Sequence, residues 1–213
     1  MRYLLIAALG VCLSGQNPPA ETEPPAESRG LPARASANEY QSNAQAGNIT
    51  IAADFMEHSV PTPEAIYSSE DYIVVEAAVF GQPDAHATLS REHFSLRIND
   101  KKPIPADPYE LVWHSLKDPN WSPPTDDKSK SKTGLSSGGK DTGEPPPSVI
   151  HMPMPLQIAM QKKVKNSVLL SGDRALPQAG LLFFEFRGKA KNIRTVELLY
   201  DGPAGKATIT LQP

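Results

Sequence analysis

The segment that most constrains the fold is DYIVVEAAVF at residues 71–80. Its β-branched and aromatic side chains are typical of a β-strand. The run from Tyr72 to Val75 is apolar at every position, whereas a strand with one face in water alternates between apolar and polar side chains. Both faces of this strand must therefore be covered by other parts of the chain. We predict a central strand in a layered β structure.

Further segments with strand periodicity follow residue 47. Residues 92–99 alternate cleanly, with Phe94, Leu96 and Ile98 predicted to point inward. The other predicted strands are 48–56, 103–105 (at a sheet edge, because of its prolines), 109–116, 181–186, 193–200 and 206–211. Turn sequences at 99–102, 188–192 and 201–205 are expected to form hairpin loops. Roughly seven short strands joined mostly by short loops predict an all-β fold, an immunoglobulin-like antiparallel β-sandwich.

One segment, residues 155–170, has helical periodicity. Leu156, Met160, Val164 and Val168 follow one another at intervals of four, which places them along one side of a helix. We predict one short helix that packs against the β-sandwich through this stripe.

Residues 1–46 differ in composition from the predicted domain at 47–213. Residues 1–15 have the layout of a bacterial secretory signal peptide, with a basic start, an apolar run from Tyr3 to Leu13, and small residues after it. That run is about half the roughly 20 residues that a transmembrane helix needs. Residues 16–46 are rich in Pro, Ala, Glu and Ser and are predicted to form a disordered tether. We therefore expect a periplasmic or secreted domain without a transmembrane helix in the mature chain.

The single cysteine, Cys12, leaves two routes open at the N-terminus. Cleavage after Ser14 or Gly15 would remove it, and the mature chain could then form no disulfide. Lipidation of Cys12 would instead hold the domain at a membrane surface. Val11 disfavours lipidation, since lipoprotein signals have a small residue directly before the cysteine.

Residues 117–148 interrupt the β pattern with prolines, glycines and a lysine-rich run. A loop of roughly 30 residues inside a domain is unusual. We predict a long disordered insertion, which is either functional or neutral. Within it, Trp121 is a large aromatic side chain that either packs on the β-sandwich or is exposed for a partner.

The sequence contains no recognisable catalytic motif. A Gly-x-Ser-x-Gly elbow, a His-Glu-x-x-His pair, a phosphate-binding Gly-rich loop and paired metal-binding cysteines are all absent. The five histidines are scattered, at His58, His86, His93, His114 and His151. We therefore predict no enzyme, no cofactor and no catalytic, cofactor-binding or metal-binding residues. The alternative is a site assembled from scattered residues. With a net charge of −3 and no large basic patch, nucleic acid is not an expected partner.

Two sets of residues carry weaker metal hypotheses. His151, Met152 and Met154 place an imidazole and two thioethers close together, and such donors suit Cu(I). Met152 and Met154 also alternate as core residues of a strand do, and methionine commonly fills gaps in a core. Copper or small-ligand carriage is therefore the alternative to a packing role. Other side chains considered are a looser pair, Met56 and His58, and four acidic residues without calcium-site spacing, Asp71, Glu76, Asp84 and Asp100.

Three stretches resemble secreted bacterial immunoglobulin-like domains of the immunoprotective extracellular antigen type. They are YIVVEAAVF followed by FSLRINDKK, then LPQAG leading into LLFFEF, and the final hairpin VELLYDGPAGKATITL. The resemblance spans residues 48–213 in its strand rhythm and implies an exported β-sandwich, but it supplies no catalytic residues. The helix and the long insertion depart from that pattern. We expect a non-enzymatic module that binds another envelope or extracellular protein.

Overall fold

The computed structural model describes residues 30–123 and 151–213. The predicted signal peptide, tether residues 16–29 and insertion residues 124–148 lie outside the described residues. The strands are β1 Ser42–Ala46, β2 Ile49–Phe55, β3 Ser59–Pro61, β4 Ile66–Ser69, β5 Tyr72–Phe80, β6 His86–Leu89, β7 Phe94–Ile98, β8 Ile104–Pro105, β9 Leu116–Lys117, β10 Gly172–Ala175, β11 Gln178–Glu185, β12 Val196–Gly202 and β13 Gly205–Leu211. The helices are α1 Tyr109–Val112 and α2 Met154–Ser167. Because strands dominate and the ladders between them are antiparallel, the predicted all-β class is confirmed.

Two four-stranded sheets share the main core. The first sheet has the strand order β1-β2-β5-β11, and the second has the order β13-β12-β7-β8. Fully buried side chains of both sheets belong to one apolar cluster, among them Ile51, Ile73, Val75, Phe184, Leu96, Leu198 and Ile209. Removing this apolar surface from water is the main force that holds the two sheets together.

Strand β5 is covered on both faces, as its sequence predicted. Every residue from Tyr72 to Val79 is buried. One face contributes to the main core, and the other lies under two further groups of residues. Helix α2 and a small sheet of order β3-β4-β9 cover one part of this outer face through a second apolar cluster. Residues 31–40 contribute to a third, smaller cluster on the same sheet.

The folded part of the chain begins well before the predicted boundary at residue 47. Residues 30–40, here called the N-terminal arm, are joined to β11 by the backbone hydrogen bond from Leu31 N to Ala179 O, at 2.9 Å. Tyr40 at the end of the arm is buried, and β1 follows directly. The arm fits because Ala52, Ala78 and Ala179 leave room on the outer face of the first sheet. A composition poor in large apolar residues therefore did not prevent ordering of residues 30–46.

Residues 109–116 are helical for most of their length, and the predicted short strand there is wrong. Helix α1 is followed by a 3-10 turn at 113–115, and only Leu116 and Lys117 form a strand. Val112 at the end of α1 and Leu116 at the start of β9 are the buried residues of this stretch. Pro108 precedes the helix, where its missing N–H is not needed.

The predicted helix is confirmed, but it begins one residue earlier and ends three residues earlier than expected. Met160 and Val164 are buried, but Leu156 is 51% exposed and Val168 lies beyond the helix end. Because an α-helix has 3.6 residues per turn, a strict interval of four drifts around the axis. Ser167, three residues after Val164, is therefore buried instead of Val168.

Two predicted hairpin loops are present, and one is not. Residues 99–102 join β7 to the edge strand β8, with Asn99 and Asp100 both at positive φ, as a tight hairpin turn requires. Residues 203–204 join β12 to β13. Residues 188–192, in contrast, connect β11 in the first sheet to β12 in the second, because each of these strands pairs in a different sheet. Within the described residues, no helix is long and apolar enough to cross a membrane.

Candidate binding groove

A groove with a volume of about 510 Å³ lies between helix α2 and the chain that follows α1. Residues 113–118 contribute one part of its lining, and Gln157, Met160 and Gln161 of α2 contribute another. Trp121 and the residues just before α2, His151 and Met152, complete it. The volume is within the range of cavities that bind small ligands or a few side chains of a partner.

Hydrogen bonds fix the elements that form this groove. The Tyr109 hydroxyl donates to the carbonyl oxygen of Gln161 at 2.6 Å, which ties α1 to the middle of α2. The side-chain amide of Gln157 donates to the carbonyl oxygen of Met152 at 2.7 Å and holds the chain that enters α2. Burial raises the pKa of Tyr109 far above its usual range, so its hydroxyl stays a proton donor.

Exposed apolar side chains are concentrated on the two helices beside the groove. Of the five large apolar side chains that are exposed in residues 30–123 and 151–213, four belong to α1 or α2: Leu111, Met154, Leu156 and Ile158. Each is more than half exposed. Trp113 and Trp121, which line the groove, are only partly buried. None of the four exposed side chains on α1 and α2 is part of the groove lining. Exposed apolar side chains mark interaction sites in soluble proteins where they form a patch.

Helix α2, which contributes one side of the groove, is positively charged. Helix α2 carries three lysines, Lys162, Lys163 and Lys165, and no acidic residue. No carboxylate among the described residues forms an ion pair with any of the three. Lys165 lies in the last turn, where its charge is favourable for the helix dipole. The groove lining itself contains one charged residue of each sign, Lys117, which is paired with Glu70 at 2.5 Å, and Asp118.

The structure separates the three side chains of the predicted copper cluster. His151 and Met152 line the groove, whereas Met154 starts α2 with 65% of its surface exposed and does not line it. The groove instead brings His114 and Met160 to the same lining as His151 and Met152. No sequence motif linked these residues, because His114 and His151 are separated by the whole insertion. In the described ranges, no group of three or more His, Cys, Asp or Glu is placed to hold a metal.

The other histidines and the second Met–His pair lie outside the groove. The His58 ring nitrogen Nδ1 is 2.9 Å from the carbonyl oxygen of Tyr72, and Met56 packs against the second apolar cluster. His86 lies 3.6 Å from Asp173 on the surface. His93 packs edge-on against Tyr200 with ring centroids 6.0 Å apart.

A second polar cluster lies on the outer face of the first sheet, under the N-terminal arm. Asp54 and Glu76 are directly opposite each other in the β2–β5 ladder, and the Arg34 guanidinium forms ion pairs with both. The Arg34–Glu76 distance is 3.4 Å, and the guanidinium carbon is 4.2 Å from the centre of the Tyr40 ring. Burial raises the pKa of Glu76, and the charge of Arg34 opposes this shift. Since Arg34 compensates both carboxylates, the cluster explains attachment of the arm rather than catalysis.

Comparisons with protein-family models, with curated proteins and with solved structures found no significant match.

Proposed function

We propose that this protein is an exported, non-enzymatic binding module that docks a segment of another envelope or extracellular protein in the groove beside α2. The observation that carries the proposal is the groove itself, which is lined by the partly buried rings of Trp113 and Trp121 and lies beside a helix with exposed apolar side chains. Export is proposed from the signal-like residues 1–15.

Strand order supports the immunoglobulin-like part of the proposal. In immunoglobulin domains the central strands B and E pair in one sheet, while C, F and G form the other. Here β5 pairs with β11 in the first sheet, and β12 lies between β7 and β13 in the second. In this correspondence β5 and β11 are strands B and E, and β7, β12 and β13 are strands C, F and G. Strand β2 is then strand A, and β8 is an additional edge strand beside C. Strand D has no counterpart in the described residues, and β1 is an extra strand outside A.

The chemistry of the groove favours a particular kind of partner segment. Trp113, Trp121 and Met160 in the groove lining suit large aliphatic or aromatic anchors, which carry most of the affinity in protein interfaces. The lysines of α2 favour acidic residues beside those anchors, because complementary charge speeds association and excludes wrong partners. We therefore propose an apolar segment flanked by Asp or Glu.

Three labelled short peptides of equal length test this proposal by fluorescence anisotropy. The first combines Leu and Phe with Glu, the second replaces each Glu with Lys, and the third keeps Glu but replaces the apolar residues with Ser. We expect the first peptide to bind most tightly, at least about tenfold more tightly than the other two. Its affinity should fall as salt rises, because charge contributes to binding.

Matched variants locate the peptide. Trp113→Ala and Trp121→Ala should weaken binding of the apolar acidic peptide about tenfold or more, because both side chains line the groove. Ile66→Ala is the control, since Ile66 is a large apolar side chain that is 61% exposed but does not line the groove. Equal binding of all three peptides, or equal affinity of all three variants, would contradict docking in the groove.

The intact mass of the protein from fractionated native cells tests export. A mass lacking the first 14 or 15 residues in a soluble envelope or medium fraction supports a free exported domain. A mass that begins at a lipid-modified Cys12 supports export with membrane tethering. An uncut chain in the cytoplasm refutes export.

A further inference from the structure

Four soft ligand side chains line the groove. His114 follows α1, His151 and Met152 precede α2, and Met160 lies within α2. Imidazole and thioether groups are the donors that proteins use for Cu(I), which disfavours hard oxygen ligands. Only His151 and Met152 of the copper cluster expected from the sequence are in this set.

In the part of the chain that the structure describes, the ring nitrogens of the two imidazoles have no polar partner, although the His114 ring packs against Trp113 with ring centroids 3.3 Å apart. Among residues 30–123 and 151–213, neither His114 nor His151 forms a side-chain hydrogen bond or an ion pair. Both rings are exposed, whereas Met152 is partly buried and Met160 is buried. The groove lining thus contains two exposed imidazoles and two less accessible thioethers. A soft cation of low charge density tolerates such surroundings better than a hard divalent ion.

We propose that the groove binds Cu(I) through the imidazoles of His114 and His151 and the thioethers of Met152 and Met160. The site joins residues on the two sides of the long insertion and one turn of α2. This proposal does not depend on docking of a protein segment, and its test uses the protein alone.

Competition with a colorimetric Cu(I) chelator, under reducing conditions, tests the site. The protein is the untagged full chain with Cys12→Ala in every sample, because a thiolate would bind Cu(I) without the groove. We expect the chain to take one equivalent of Cu(I) from the chelator. Because Trp113 and Trp121 line the same groove, binding should quench tryptophan fluorescence in parallel with the loss of the chelator signal.

Single substitutions decide whether binding is at this site. His114→Ala and Met152→Leu should each weaken Cu(I) binding at least about tenfold. Met154→Leu is the matched control, because Met154 is two residues from Met152 but lies outside the groove, and it should leave the affinity unchanged. His114 is exposed, so its replacement leaves the apolar clusters intact, and circular dichroism checks this.

Three results would overturn the proposal: no transfer of Cu(I) from the chelator, equal affinity of all variants, or a loss in Met154→Leu as large as that in Met152→Leu. The last two results would mean that surface methionines bind the metal without a formed site.

Discussion

Replacement of Arg34 by glutamine should destabilise the protein and free the N-terminal arm. Arg34 compensates two carboxylates that face each other across the β2–β5 ladder. Like charges directly opposite in a sheet repel each other. Without the guanidinium, Glu76 and Asp54, whose side chains are only 10% and 15% exposed, would face each other uncompensated.

The expected loss in the free energy of unfolding depends on how deeply the ion pairs of Arg34 are buried. Removing one partner of a buried ion pair costs about 3–5 kcal/mol. The Arg34 side chain is 32% exposed, so water replaces part of its interaction, and we expect a loss of about 2–3 kcal/mol in the free energy of unfolding. For a chain of this size the loss corresponds to a decrease in Tm of roughly 4–12 °C.

The pH dependence gives this prediction a second readout. Burial raises the pKa of Glu76, and Arg34 lowers it, so Arg34→Gln should raise that pKa further. A carboxyl group whose pKa is raised in the folded state binds protons more tightly there than in the unfolded chain, so stability increases as the pH falls through the folded-state pKa. The deficit of Arg34→Gln should therefore be largest above the raised pKa of Glu76 and shrink as the solution is acidified.

Urea unfolding followed by circular dichroism, at neutral and at mildly acidic pH, measures both effects. Adding Glu76→Gln to Arg34→Gln should recover part of the lost stability, because it removes one of the two uncompensated charges. Arg97→Gln is the matched control. Arg97 also pairs with a glutamate across strands, at 2.8 Å, but is more exposed, and we expect a loss of about 0–1 kcal/mol. If Arg34→Gln is as mild as this control, or if its deficit is independent of pH, the argument is refuted.

Two further substitutions test the packing of the sheets. Leu198→Ala should cost about 2–5 kcal/mol in thermal or urea unfolding, because Leu198 is fully buried between the sheets, whereas Leu199→Ala on the other face of β12 should cost less than about 1.5 kcal/mol. Gly180→Ala should lower the free energy of unfolding by about 1–3 kcal/mol or more, since the added methyl would lie 2.3 Å from the backbone nitrogen of Leu169. A stability equal to that of the unmodified chain would show that β11 and the segment around Leu169 move apart easily.

The strands that could be predicted from the sequence are those whose own residues show a clear apolar run or a clear alternation of apolar and polar side chains. Strands β5 and β7 were located within two residues because an apolar run and a strict alternation leave few alternatives. Strands β3, β4, β6 and β10 were missed. They have only three or four residues each, and their pairing depends on partners far away in sequence, as in the β6–β10 pair.

The N-terminal arm was missed for a different reason. Its attachment depends on a few contacts with residues that are distant in sequence, above all Arg34 with Asp54 and Glu76. A prediction of disorder from composition uses the average over a segment, so it does not register a single arginine that pairs with two buried carboxylates. In the groove, the sequence indicated His151 and Met152 but could not add His114 and Met160, because only the packing of α1 and α2 brings these segments together.

The position of the groove in the chain explains why its residues lie outside the regular strand pattern. All groove-lining residues, from Trp113 to Gln161, lie between β8 and β10, where the chain leaves the two sheets and later returns. The segment between β8 and β10 has a structural role, since Met160 and Val164 of α2 cover the outer face of the first sheet. The side chains that face away from that sheet are not needed for its packing. Exposed Met154 and Ile158 on the same helix therefore have no structural explanation in the described residues, and the partner binding that we propose would give them one.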